Sequence, residues 1–182
     1  MTGIHLMRVG SKQGGGTPAL DVLDRLAAAL VRVFRTSCHV REEVLEADAA
    51  FHAERNQYHS TLLLEAMQPD GDVRLLGVTA LDLYVPVLTF VFGEAQLGGR
   101  RAVVSLCRLD ERFYGLPANP ALLERRLFIE AVHELGHTYG LRHCRDWQCA
   151  MASTHSVERL DLKQPAFCAE CQSRVIPPRN AC

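Results

Sequence analysis

The sequence predicts an α/β (α+β) chain folded as a single domain, and three observations lead there. First, ALDVLDRLAAALVRVF keeps Leu23, Leu26, Ala27, Leu30 and Phe34 at helical period, a stripe that needs a core to face. Second, VRLLGVTAL, VLTFVFGEA and AVVSLCRL are rich in Val, Leu and Phe and are separated by Pro or Gly-Gly, which marks three strands. Third, another apolar run begins near Leu122 and ends in HELGHTYGLRHC, residues 133–144. The 182 residues, 48% of them hydrophobic and 23% charged, suffice for one real core with at most a small appendage.

Residues 2 to 9 predict a short strand, followed by the flexible loop SKQGGG. No GK[ST] follows the triple glycine, so a plain loop is preferred to a phosphate cradle. Thr17 and Pro18 are the expected N-cap and first residue of the first helix. Residues 37 to 44, SCHVREEV, predict a strand in which Cys38 and His39 serve packing. Residues 45 to 60 are polar and ambiguous. HSTLLLEAM predicts a short helix capped at Ser60 or Thr61, and Pro69-Asp70-Gly71 a turn. Pro86 cannot donate to a ladder, so its surroundings are an edge or a connection. Asn119-Pro120 caps the last long helix.

That helix carries the chemistry. His133 and His137 are four apart, which puts two imidazoles on one face about 40° apart in rotation. Two nitrogen donors converging from one rigid helix bind zinc with little rearrangement. Glu134, beside the first, is aimed to polarise a water at the metal and to carry its proton. Gly140 follows His137 by three residues; at positive φ it ends the helix and turns the chain. The bend brings His143 round as a third ligand and leaves the fourth position open for water. Residues 126, 129, 130, 136, 137 and 140 share the side of His133. Phe128, Ala131, Val132, Leu135 and Tyr139 form the opposite surface, expected to pack on the sheet. Glu130, on the metal side, is either a hydrogen-bond acceptor for a ligand imidazole or a solvated carboxylate.

Downstream stand Cys144, Cys149, Cys168 and Cys171, the last two as a CxxC. Four thiolates make a closed tetrahedral zinc site, structural because no position is left for water; free thiols or two disulfides are the alternatives. Cys144 adjoins His143, so such an ion would pin the backbone next to the third histidine. Cys38, Cys107 and Cys182 receive no role. A net charge of −1 predicts no steering towards nucleic acid or anionic membrane. The N-terminus shows no signal-peptide pattern, and no apolar stretch approaches the length that spans a bilayer. With seven cysteines, a reducing cytoplasm is the expected home.

The spacing HExxHxxGxxH resembles the extended signature of the metzincin metalloproteases. HELGHTYGLRHC, the four-residue gap to Cys149, CAM and CAEC together resemble one metzincin family, the archaemetzincins (archaelysins). RNQYHS (residues 55–60) and LDLYVPVLTFVFGEA (residues 81–95) also look like that family's blocks, so the resemblance covers most of the chain. It implies a compact metzincin-like zincin fold: a twisted mixed sheet, a backing helix, the active-site helix, and a small C-terminal subdomain below the cleft. Residues 1–143 would be the upper part and 144–182 the lower, zinc-bound part. It implies that His133, His137 and His143 bind catalytic zinc, that Glu134 is general base and acid, and that Met151 forms a Met-turn beneath the metal. Carrying over the four cysteines adds a structural zinc, two Zn2+ per chain.

The implied function is zinc-dependent hydrolysis of peptide or protein substrates, aminopeptidase-like on short peptides, by a monomer. The VLTFVFGEA region is the candidate edge for pairing with an extended substrate. The main alternative is a non-catalytic, zinc-stabilised peptide-binding module; a zinc hydrolase of non-peptide amides is another. Glu134 argues against the module, because metal binding alone does not need that carboxylate. No cysteine-switch pattern is present, so control by a latency segment is not expected.

Overall fold

The structure, a computed structural model, describes residues 3–13 and 15–176. Its strands and helices run β1 (Ile4–Gly10), α1 (Leu20–Phe34), β2 (Cys38–Glu46), β3 (Phe51–His52), β4 (Gln57–His59), α2 (Ser60–Ala66), β5 (Arg74–Thr79), β6 (Leu83–Tyr84), β7 (Gly93–Ala95), β8 (Arg101–Ser105), α3 (Pro120–Thr138), α4 (Val157–Leu160) and α5 (Ala169–Val175). The larger sheet has the order β2-β1-β5-β8-β7. Its first four strands are parallel, and β7 joins β8 antiparallel at one edge. A smaller sheet orders β3-β4-β6.

Strands β1 and β2 are parallel because α1 carries the chain between them, a crossover that a tight turn cannot make, and the antiparallel β7 makes the sheet mixed. Strand alternation then divides the core. Leu76, Val78, Ala102 and Val104 face one cluster with Leu23, Leu26, Leu30, Ile129, Val132 and Leu135 of the two long helices. Leu75 and Val103 face the other, with Tyr58, Leu63, Leu64 and Met67. The stripe on α1 is buried as its spacing requires, at Leu23, Leu26, Ala27, Leu30 and Phe34.

Several expected boundaries move. The first helix starts at Leu20, behind Ala19, with no side-chain cap. Thr17 and Pro18 precede it because the Gly16 carbonyl accepts the Ala80 N–H at 2.7 Å, tying that loop to the end of β5. Neither Ser60 nor Thr61 caps α2; both hydroxyls donate instead to the Glu94 carboxylate. Of VLTFVFGEA only Gly93–Ala95 is regular strand, after a connection that follows Pro86. AVVSLCRL ends as strand at Ser105, and Cys107–Leu109 form a tight 3₁₀ turn. Asn119 does cap α3, accepting the Leu122 N–H, with Pro120 as first helical residue.

The largest departure concerns α3. The expected packed face is there, with Ala131, Val132 and Leu135 in the core and Phe128 and Tyr139 half-buried against it, but the metal side is buried too, so the helix is enclosed nearly all round from Arg126 to Gly136. The chain beyond the helix accounts for this. Met151 and Phe167 lie against Gly136, where an added Cβ would meet Met151 Sδ at 2.4 Å and Phe167 Cε1 at 3.1 Å. Arg126, itself buried, makes two hydrogen bonds of 2.8 and 2.7 Å to Asp161 and one of 2.9 Å to the Leu109 carbonyl. Residues after Cys144 thus close a third layer over the histidine side. Among the described residues, no helix is long and apolar enough to cross a membrane.

Candidate functional site

The end of α3 builds the site. Gly140 sits at φ +83°; its N–H reaches the His137 carbonyl at 2.9 Å, and the Leu141 N–H reaches the Gly136 carbonyl at 3.1 Å. These are the two bonds of a Schellman stop, which needs a left-handed residue at that point. The reversal swings His143 back, and donor atoms of His133, His137 and His143 come within 4.8 Å of one another.

Backbone carbonyls orient two of the rings. His133 Nδ1 lies 2.8 Å from the Ala150 oxygen and His137 Nδ1 lies 2.7 Å from the Leu141 oxygen. A carbonyl only accepts, so both Nδ1 atoms carry the proton and both Nε2 atoms present lone pairs. Those Nε2 atoms are 3.1 Å apart. Two lone pairs at that distance repel unless a cation lies between them. Nitrogens at about 2.0–2.1 Å from a tetrahedral zinc would stand roughly 3.3 Å apart, so the donor set fits that ion. Burial pushes all three imidazoles below their ordinary range, with Lys163 adding to the effect in each, which keeps them neutral and ready to ligate.

Glu134 lies beside this group without belonging to it. Burial pushes its carboxyl well above the carboxylate range, and the neighbouring Glu130 and Glu94 push the same way against Lys163. Its side chain rests on Gly93 of β7, where an added Cβ would come 2.7 Å from Glu134 Cγ and 2.6 Å from the Val103 oxygen. A cleft of about 480 Å³ opens here, walled by residues 88–95 on one side and by Glu130, Glu134 and the three histidines on the other. Glu94, on the same edge strand, is fixed by the Ser60 hydroxyl and by Thr61 Oγ1 at 2.9 Å.

Glu130 matches neither expectation. It is 4% exposed, so it is not solvated, and the His133 and His137 Nδ1 atoms are already bonded to carbonyls. Its neighbour is Lys163, whose Nζ stands 3.9 Å from Glu130 Oε1. Burial raises the Glu130 carboxyl to about 7 against the pull of that lysine. Lys163 is completely buried, and its Nζ donates to the Ala150 oxygen at 3.1 Å. Nothing in the sequence pointed to Lys163, an ordinary residue in a polar stretch that meets α3 only through the tertiary fold.

The four cysteines converge as well, their sulfurs all within 4.8 Å. Cys144 and Cys168 sulfurs are 3.8 Å apart, far beyond a disulfide bond and close to the separation of two thiolates at about 2.3 Å from one zinc. Burial pushes the Cys149 thiol up, and the Met151 and Cys168 N–H groups that its Sγ accepts at 3.4 and 3.3 Å work against that. Cys38 and Cys107 lie outside the cluster, burial raising their thiols to about 12 and about 11, and Cys182 lies outside the described residues. Met151 is fully buried in the turn between the two groups.

Comparison with known proteins gives the family and the fold. A family model described as peptidase family M54 matches residues 25–176. An archaemetzincin from Methanocaldococcus jannaschii is 38% identical over 161 residues, 87% of this chain and 89% of that protein. One from Archaeoglobus fulgidus is 39% identical over 150 residues, 82% of this chain and 88% of that protein. The crystal structure of the A. fulgidus archaemetzincin complexed with malonate superposes with a TM-score of 0.80 at 35% identity, covering 96% of this chain and 99% of that one. A zinc-dependent peptidase from Methanocorpusculum labreanum gives 0.81 at 28% identity, covering 95% and 100%. Metalloproteinase-II from Bacteroides fragilis, at 12% identity and a TM-score of 0.58, shares the fold alone.

Proposed function

Because the chain belongs to peptidase family M54, the archaemetzincins, and is a zinc metallopeptidase, we propose that His133, His137 and His143 hold its catalytic zinc and that Glu134 is its general base and acid. One observation carries this reading: two Nε2 lone pairs, fixed by carbonyls on the far side of each ring, face each other at 3.1 Å. The bound ion supplies Lewis acidity, lowering the pKa of water and stabilising negative charge on a carbonyl oxygen. The rest is done by the chain. Glu134 takes a proton from the attacking water and returns it to the leaving amine. Its buried, carboxylate-flanked position favours holding that proton in transit, and Gly93 leaves room for its side chain at the cleft wall.

The substrates are peptides or proteins. We assign β7 as the edge that pairs with them, since it is the outermost strand and lines the cleft. Three residues of strand pair with only a short stretch of substrate, which supports aminopeptidase-like action on short peptides. Cys144, Cys149, Cys168 and Cys171 are assigned a second, structural zinc that holds the segment from Cys144 onward as a lower subdomain, with Met151 under the catalytic helix.

Cleavage of a mixed peptide library with and without a chelator tests the reading. Chelator-sensitive hydrolysis is expected; peptide binding without cleavage would favour the non-catalytic module. His143→Ala should lower the zinc content from two ions to one, and an unchanged content of two would remove His143 from the ligand set. Gly93→Ala should displace Glu134 while leaving both metal sites loaded. A misplacement near 1 Å costs about 10²-fold in rate, so kcat should fall by that order at unchanged zinc content. Wild-type kcat in that variant would show that Glu134 does not depend on the gap at Gly93.

A further inference from the structure

Lys163 is fully buried, yet no step of the hydrolysis uses it. We propose that Lys163 is a positioning residue for His133, acting through the Ala150 carbonyl. The inference rests on His133 being a zinc ligand. The Ala150 oxygen is 3.1 Å from Lys163 Nζ and 2.8 Å from His133 Nδ1. A carbonyl oxygen has two lone pairs, so these two donors fill it. The imidazole proton is thereby fixed on Nδ1 and the Nε2 lone pair is turned towards the other histidines. The Ala150 peptide cannot rotate away from His133 without also stranding a buried ammonium.

The surroundings fit a positioning role better than a packing role. Among the described residues the ammonium has one hydrogen bond, and its nearest carboxylate, Glu130, stands 3.9 Å away with no hydrogen-bond partner for Oε1. A buried pair of that geometry is a poor stabiliser, and an apolar side chain of similar volume would pack without desolvating a charge. What an apolar side chain could not do is bond the Ala150 oxygen. That oxygen lies between Cys149, of the thiol cluster, and Met151, under α3. Lys163 therefore braces the short turn on which the first histidine leans.

The test uses the full chain as Lys163→Met and as the double variant Lys163→Met/Glu130→Gln, which leaves no charge stranded. Zinc affinity is read by chelator competition, and cobalt substitution reports the two sites separately, because only the cysteine cluster gives thiolate charge-transfer bands. Lys163→Met is expected to melt lower and to weaken the histidine site about 10–100-fold, as the loss of a ligand's orienting partner does, with the thiolate bands intact. The double variant should recover the melting temperature but keep the weakened histidine site, and at saturating zinc its kcat should fall with KM unchanged. Should Lys163→Met not fold, the double variant carries the comparison with wild type. Wild-type zinc affinity in the double variant would overturn the proposal and reduce Lys163 to a counter-ion of Glu130. A wild-type protein that binds no metal at its histidines would sink the zinc reading itself, and this inference with it.

Discussion

Glu134→Ala is expected to abolish peptide hydrolysis while leaving both proposed zinc sites filled. A positioned general base contributes about 10²–10⁴-fold, and in this cleft the same carboxyl also serves as the acid, so the rate should fall by about 10⁴-fold or more. Metal retention is expected because Glu134 is not one of the three converging histidine donors. Stability should change little, since the substitution deletes a buried carboxyl flanked by Glu130 and Glu94. Protein stripped of the histidine-site ion alone offers a second readout. The Glu134 carboxyl is raised above its ordinary 4.5, so the folded chain binds its proton more tightly than the unfolded chain does. That contribution to stability is complete below about 4.5 and is lost as pH rises through the raised value. With the histidine site emptied and the cysteine site loaded, wild type should therefore lose stability over this window more steeply than Glu134→Ala. Undiminished hydrolysis by the zinc-loaded variant would end the assignment of Glu134 as base.

What the sequence made legible was set by local spacing. The α1 stripe, the Asn119-Pro120 cap, the i,i+4 histidines and the Gly140 stop each depend on a few neighbouring residues, and each takes the expected place. The grouping of three imidazoles and of four thiols was legible for the same reason, since a helix turn, a glycine reversal and a CxxC bring their donors together within short spans. The misses are tertiary. Strand β7 shrinks to three residues where Glu134, forty-one positions after Gly93, takes up the space over it. Ser60 and Thr61 have good capping chemistry, but Glu94 competes for both hydroxyls and wins. The face arithmetic on α3 separated a metal side from a packed side, whereas Arg126, Asp161, Met151 and Phe167 enclose the metal side as well. Lys163 and Glu130 are separated by more than thirty residues, and neither carries a spacing signal.

The second large effect is expected from Cys171→Ser, which tests whether the lower subdomain is held by a metal and whether that metal supports the catalytic centre. Cys171 is buried in the thiol cluster, and a serine hydroxyl stays protonated and is a hard, weak ligand where a soft thiolate stood. Zinc binding to such sites is worth about 10–16 kcal/mol in small domains and is itself folding free energy. Losing only about 4 kcal/mol of it would lower Tm by roughly 8–16 °C in a chain of this size. The damage should reach the histidines by a short route. Cys149 Sγ accepts the Met151 N–H, the Met151 oxygen accepts the Cys144 N–H at 2.9 Å, and the Ala150 oxygen between them holds His133. Release of the cluster therefore slackens both the turn behind His133 and the backbone next to His143, so the variant should lose the structural ion and bind the catalytic one more weakly. Cys107→Ser, a half-buried thiol outside the cluster, is the control and should leave zinc content unchanged. If Cys171→Ser kept two tightly held ions and the wild-type Tm, the cysteines would be packing residues and the coupling between the two centres would not exist.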